Sequence, residues 1–114
     1  MKNDEIFLRH MLDAIEEIEG FLEGFRYEDL LSDHRTMYAT VCLLEILGEA
    51  AGNLSLELRN AHPNIPFAKI IGMRNHLIHR YFEVDLETVW KVWTDDLQPL
   101  KRSIDDMLRK LSGE

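Results

Sequence analysis

Eight consecutive residues, Arg74-Asn75-His76-Leu77-Ile78-His79-Arg80-Tyr81, hold two guanidinium groups, an amide, two imidazoles and a phenol. Together these groups suit cleavage of a phosphodiester in RNA. Arg74 carries a permanent charge and a planar fork of donors, the geometry for gripping a phosphate and stabilising charge that builds on its oxygens. His79 titrates near neutral pH in its unperturbed form, so it can take or return a proton. Asn75 can orient His79 or the phosphate, Tyr81 can hydrogen-bond a nucleotide or stack on it, and Arg80 and His76 can each add a phosphate contact. The scheme requires no metal and no other cofactor.

Each of these residues also has a plainer reading. A lone arginine on a helix is ordinarily a surface charge or half of an ion pair, and a histidine among apolar neighbours is ordinarily a packing residue. Tyr81 can be a residue at the core edge with its hydroxyl in water; Leu77 and Ile78 read as packing. His76 and His79, three apart, can bind a divalent ion with Glu83, but two histidines and one acid make a thin ligand set. Glu45 and Glu49 share a helix face as either a carboxylate pair or a solvated stripe. A di-iron site of the ferritin type would need Glu-x-x-His on two helices, and the sequence has none.

Charge patterning favours the motif. The chain has 21 acids in 114 residues and a net charge of −8, yet no Asp or Glu lies between Leu58 and Phe82. That window holds Arg59, Lys69, Arg74 and Arg80 with His62, His76 and His79. A local positive field on an acidic body can attract an anionic ligand. The overall charge excludes reliance on long duplex DNA, whose binding depends on neutralising many phosphates at once. Residues 1 to 33 carry ten acids against Lys2, Arg9 and Arg26, a surface suited to a basic partner protein.

The elements that must position the motif read as helices throughout, so the chain is expected to be one all-α domain over residues 1–114. Helix one should start at Asn3 as N-cap, present Leu8, Met11, Ile15, Ile18, Leu22 and Phe25 on one face, and end around Gly24. Arg26 to Leu31 reads as a connection. Ser32 or Asp33 should cap a second helix reaching about Asn60, whose broad apolar surface suggests contact with both the core and a second subunit. Cys42 reads as a small core residue on it, and a single cysteine permits no intrachain disulfide. Pro63 and Pro66 mark a loop, and a third helix should run from Pro66 into the motif. The last begins with Asp85 as N-cap and a Val84/Val89 staple, and its apolar face continues across Pro99, which predicts a kink or two helices meeting near Asp95-Asp96. No segment resembles a signal peptide or a membrane span, so a soluble cytoplasmic protein is expected.

If the third helix stays regular, Arg74 and Tyr81 lie about 20° out of line, whereas Arg74 and His79 diverge by about 140°. One helix then cannot aim both at one phosphate. A break in the helix, or a two-fold dimer bringing a second copy of each group, would resolve the conflict.

Ile65 through Asp85 resembles the signature region of the HEPN superfamily, and within it the HepT-like branch, toxins paired with an MNT-type minimal nucleotidyltransferase. The pattern is Arg, four residues, His, one residue, Tyr, here Arg74, His79 and Tyr81, with Asn75 at the polar position after the arginine. Leu43 to Ala51 resembles the second helix of the family, and Val84 to Trp90 the start of its last helix. Arg80 departs from the pattern, since Gly is common between the His and the Tyr. The resemblance implies a four-to-five-helix up-and-down bundle and a symmetric homodimer with two Arg/His motifs in one cleft. It further implies metal-independent endoribonuclease activity, with Arg74 on the scissile phosphate, His79 as acid/base and Asn75 as positioner, and neutralisation by an MNT antitoxin that can AMPylate Tyr81. Two alternatives stay open: a non-catalytic module that binds a nucleotide or serves as helical partner of the transferase, and a purely structural bundle.

Overall fold

The computed structural model describes residues 2–73, 78–79 and 83–113. Its helices are α1 (Lys2–Leu22), α2 (Tyr27–Ser32), α3 (His34–Gly52), α4 (Leu56–Ala61), α5 (Phe67–Ile71), α6 (Leu86–Lys91) and α7 (Leu97–Leu111), with a π turn over Val92–Asp96 joining the last two. Among the described residues the one exception to the expected all-α architecture is a two-residue ladder: β1 (Ile78–His79) pairs antiparallel with β2 (Glu83–Val84), Ile78 opposite Val84 and His79 opposite Glu83.

The spacing of apolar residues on α1 explains its place at the centre. Leu8, Met11, Ile15, Ile18 and Leu22 are fully buried, each contributing roughly 1.5–3 kcal/mol of transfer free energy as an upper bound. Asn3 lies inside the helix and is not its cap. Gly24, at φ 81°, stops it in the left-handed conformation that other residues adopt only with strain. Packed against α1 are α3 on one side and α7 on the other, while α2 reaches both α3 and α6. The Tyr27 and Trp90 rings, 6.0 Å apart, make the last of these contacts.

Three expectations are corrected. Arg26 to Leu31 is largely helical, because the Asp29 carboxylate accepts the Arg26 N–H at 2.8 Å and Leu30 is buried beneath the turn. The second long helix does not reach Asn60. It ends at Gly52, and Ser55 caps a separate α4 by accepting the Leu58 N–H at 3.1 Å. The break is held from outside: Asp4, 2% exposed, accepts the Ser55 N–H at 2.8 Å and the Ser55 hydroxyl at 2.7 Å. Finally, Cys42 is exposed, with Tyr38 and Ile46, one turn away on either side, also exposed. The apolar residues of α3 therefore extend past the face that the core covers.

Asp33 caps α3 as expected, accepting the Thr36 N–H at 3.0 Å. Near the C-terminal end of α1, Glu19 takes hydrogen bonds from Lys101 (2.8 Å) and Gln98 of α7. Burial alone would push the Glu19 carboxyl up, but those two hydrogen bonds and the ammonium charge outweigh it and hold the group below its ordinary value. No described helix is long and apolar enough to cross a membrane.

Two outcomes follow from these ties. Asp4→Ala leaves the Ser55 N–H without its acceptor and should destabilise the fold by about 1–3 kcal/mol in urea unfolding, whereas an unchanged midpoint would refute the clamp. Because the Glu19 pKa is lowered on folding, its contribution is present above the ordinary carboxylate value of about 4.3 and is lost as pH falls through the lower folded value. The Tm gap between wild type and Glu19→Gln should therefore narrow on acidification; a gap independent of pH would contradict it.

Candidate active site

The route of the chain into the Arg74 motif is set by α5, and α5 is set by a glycine on α3. A Cβ at Gly48 would lie 2.7 Å from the Ile70 carbonyl oxygen, closer than real contacts come. Only glycine lets the two backbones meet there. Phe67 and Ile70 are buried in this contact, whereas Ile71 is 36% exposed at its edge. The Gly72 N–H closes the helix on the Ala68 carbonyl at 3.0 Å, and Met73 is again buried. Beyond the motif, Asp85 caps α6 by accepting the Thr88 N–H at 3.1 Å, as its sequence predicts. Both flanks of the motif are thus anchored to the core.

Arg74, Asn75, His76, Arg80 and Tyr81 lie outside the described residues. For His79 the structure gives the backbone, placed in β1 opposite Glu83. The expected third helix from Pro66 through the motif is therefore corrected. Helix α5 ends at Ile71, and by Ile78 the chain is extended, so angular offsets for a regular helix do not apply between Arg74 and His79. Gly72 lets α5 end upstream of Arg74, and at Ile78–His79 the β1–β2 pairing uses backbone groups that a helix would have claimed; residues 74–77, where the sequence allowed for a break, lie outside the described residues.

The other candidates fare unevenly. Glu49 is exposed and Glu45 half-buried, as a solvated stripe requires. No group of three or more His, Cys, Asp or Glu able to hold a metal occurs among the described residues; His76, needed for the His76/His79/Glu83 set, falls outside them. His62 is half-buried and its Nδ1 is 3.0 Å from the Leu58 carbonyl oxygen, which assigns it to the end of α4.

The acid-free window is free of acids in sequence but not in space. Lys69 of α5 meets Asp96 of the π turn at 3.1 Å, across a cleft of about 230 Å³. Pro99 is the cause of that opening. It has no N–H to donate and its ring collides with the carbonyl four residues back, so the preceding turn widens and the Leu97 N–H bonds Val92, five residues back. Asp95, Asp96 and Ser103 line the cleft without forming any recognisable motif. The proline inside a helical pattern is the one sequence signal for it, and it foretells a bend without foretelling a cavity.

A profile of the Ribonuclease HepT-like family matches residues 11–107. The chain belongs to the HepT-like ribonuclease family. Similar proteins include "Probable ribonuclease HepT" of Thermococcus cleftensis, 38% identical over 101 residues that cover 89% of this chain and 92% of that protein. "Putative RNase TTE0752" of Caldanaerobacter subterraneus subsp. tengcongensis is 34% identical over 110 residues, 96% and 98% of the two chains. "Putative RNase MJ1216" of Methanocaldococcus jannaschii is 32% identical over 108 residues, 95% and 89% respectively. No solved structure matches significantly.

For this HepT-like chain, the Gly48 contact makes a sharp prediction. Gly48→Ala forces α5 off α3 and should cost about 1–3 kcal/mol of stability with a loss of ribonuclease activity. Gly20→Ala, on α1 with nothing within 4 Å, should leave activity intact and stabilise by about 0.5–1 kcal/mol. Equal thermal melts for the two variants would exclude a positioning role for Gly48.

Proposed function

We propose that this HepT-like ribonuclease is the toxin of a HEPN/MNT toxin–antitoxin pair, a cytoplasmic protein with one HepT-like domain over residues 1–114 that cleaves RNA without a metal ion. The observation that carries the reading is the family match over residues 11–107, within which Arg74, His79 and Tyr81 stand at the family spacing. Arg74 grips the scissile phosphate and stabilises charge on its oxygens, His79 transfers the proton, and Asn75 positions one or the other. Arg80 and His76 add phosphate contacts. The reading has two copies of the chain forming a homodimer with both motifs in one cleft. Support for that assembly comes from Tyr38 and Ile46, 56% and 47% exposed one turn on either side of Cys42 on α3.

Inhibition is assigned to an MNT-type nucleotidyltransferase. It would transfer AMP from ATP to the Tyr81 phenol oxygen, with pyrophosphate leaving. The appended phosphate adds negative charge beside the arginines that the RNA phosphate needs.

Purified protein should cleave RNA in EDTA, and Arg74→Ala and His79→Ala should each lower the rate by ~10²–10⁴. Equal rates for all three proteins would sink the assignment. After co-expression with the transferase, intact mass should show AMP additions that Tyr81→Phe removes; additions retained in Tyr81→Phe would place the modification elsewhere.

A further inference from the structure

We propose that the cleft between α5 and the π turn is a nucleobase subsite that selects guanine in the RNA substrate; this rests on the ribonuclease reading and adds a specificity pocket to it. The cleft has apolar walls, with Ile70 and Met73 on one side and Leu97 and Leu100 on the other. Two carboxylates, Asp95 and Asp96, stand on it, while its one described cation, Lys69, is engaged with Asp96. Such a site repels a phosphate. It accepts a flat apolar body whose edge carries N–H donors, because an ionised carboxylate can only accept.

Among the four bases the fit is to guanine. Its N1–H and N2–H₂ donors lie side by side and match the two oxygens of one carboxylate. Uracil offers one N–H between two carbonyl oxygens, which a carboxylate repels, and adenine and cytosine each set a single amino group beside a ring acceptor. Asp96 is placed for this role. Its Oδ2 is held by Lys69 at 3.1 Å, which fixes the plane of the carboxylate, and its Oδ1 takes no hydrogen bond from any described residue. The Asp95 Oδ1 already accepts the Thr94 hydroxyl at 3.1 Å, which leaves Asp95 as the supporting charge. Met73 offers a sulfur to the face of the ring, a favourable contact for an aromatic system. Position supports the same occupant. Met73, a wall of the cleft, immediately precedes Arg74, so a nucleotide seated there enters the motif along the chain itself.

The test has a binding arm and a cleavage arm. GMP, AMP, CMP and UMP are titrated into the wild-type protein and followed by NMR at the methyl groups of Ile70, Met73 and Leu100. GMP should bind at least roughly tenfold tighter than the others, with shifts at those methyls, consistent with the discrimination that one bidentate pair confers. Asp96→Asn, which keeps the shape but loses an acceptor, should abolish the preference, and Ser103→Phe should block the cleft. In the cleavage arm, sites mapped on a mixed-sequence RNA should flank guanine in wild type and lose that bias by a similar factor in both variants. Thermal melts establish that both variants fold. Equal binding of the four nucleotides, shifts confined to other residues, or a cleavage pattern that neither variant alters would overturn the proposal, as would a cleft that binds no nucleotide and takes a basic peptide instead. If wild type cleaves no RNA, the ribonuclease reading fails on its own, and the binding arm still decides the subsite.

Discussion

The approach of the α5 backbone to Gly48 is the constraint on which the rest depends. Helix α5 has five residues, too few to be stable without tertiary support, and it sits between a proline-marked loop and the motif. Its position comes from two sources: the burial of Phe67 and Ile70, and the absence of a side chain at residue 48. With any Cβ there, the Ile70 carbonyl would have to withdraw. Met73, the last described residue before Arg74, would move with it. A glycine on a helix remote in sequence therefore governs where the motif begins. Its cost to α3, about 1 kcal/mol in helix propensity, is offset by a contact that no other residue permits.

A second constraint acts from the far side of the same space. Pro99 interrupts the hydrogen bonding of a helix whose apolar face would otherwise run unbroken from Trp93 to Leu111. The chain keeps the face in register by widening one turn, so Leu97, Leu100, Ile104 and Met107 stay buried. The alternative, a sharp kink, would have turned α7 away from α1 and separated Glu19 from Lys101 and Gln98. The π turn satisfies the backbone and preserves the packing, and the space it opens faces α5. The cleft and the approach of α5 to Met73 are thus products of two local irregularities, a glycine and a proline, on an otherwise regular bundle.

How much of this was legible in the sequence follows from the range of each interaction. Helix α1 was legible almost to the residue, since its apolar period and Gly24 are local signals. So were the caps at Asp33 and Asp85, where a carboxylate three residues ahead of the N–H it accepts is a short-range pattern. The end of α3 at Gly52 was missed although Gly52-Asn53 and the Ser55 cap are local stop and start signals, because the apolar period runs on past them; the Asp4 clamp that holds the break is far away in sequence and has no local signal. Cys42 was misjudged for a similar reason: its neighbours Leu43 and Leu44 are buried, and a helix that is apolar nearly all round does not reveal which side the core will cover. For the motif, residue types were readable but geometry was not. Periodicity favours helix through Ile78 and His79, and the pairing of those residues with Glu83 and Val84 is a contact between strands that no helical period encodes.

Electrostatics shows the same limit with a functional consequence. A window without acids suggests a uniformly positive surface, but folding brings Asp96 against Lys69 and places Asp95 on the same cleft. Exposed pairs of this kind add little stability, since solvent screens them and two side chains must be held in place. Their effect is on the field. Lys69 is compensated locally by Asp96, so a cation that the sequence counts toward an acid-free window is paired in the fold. The cleft between α5 and the π turn, with two carboxylates and one paired lysine among apolar walls, therefore carries no excess positive charge, contrary to what the window alone suggests. On the proposed reading the cleft takes the base while the phosphate is drawn to the motif, and the pairing of Lys69 with Asp96 that makes the cleft unsuited to phosphate arises from the fold, since no stretch of the sequence displays it.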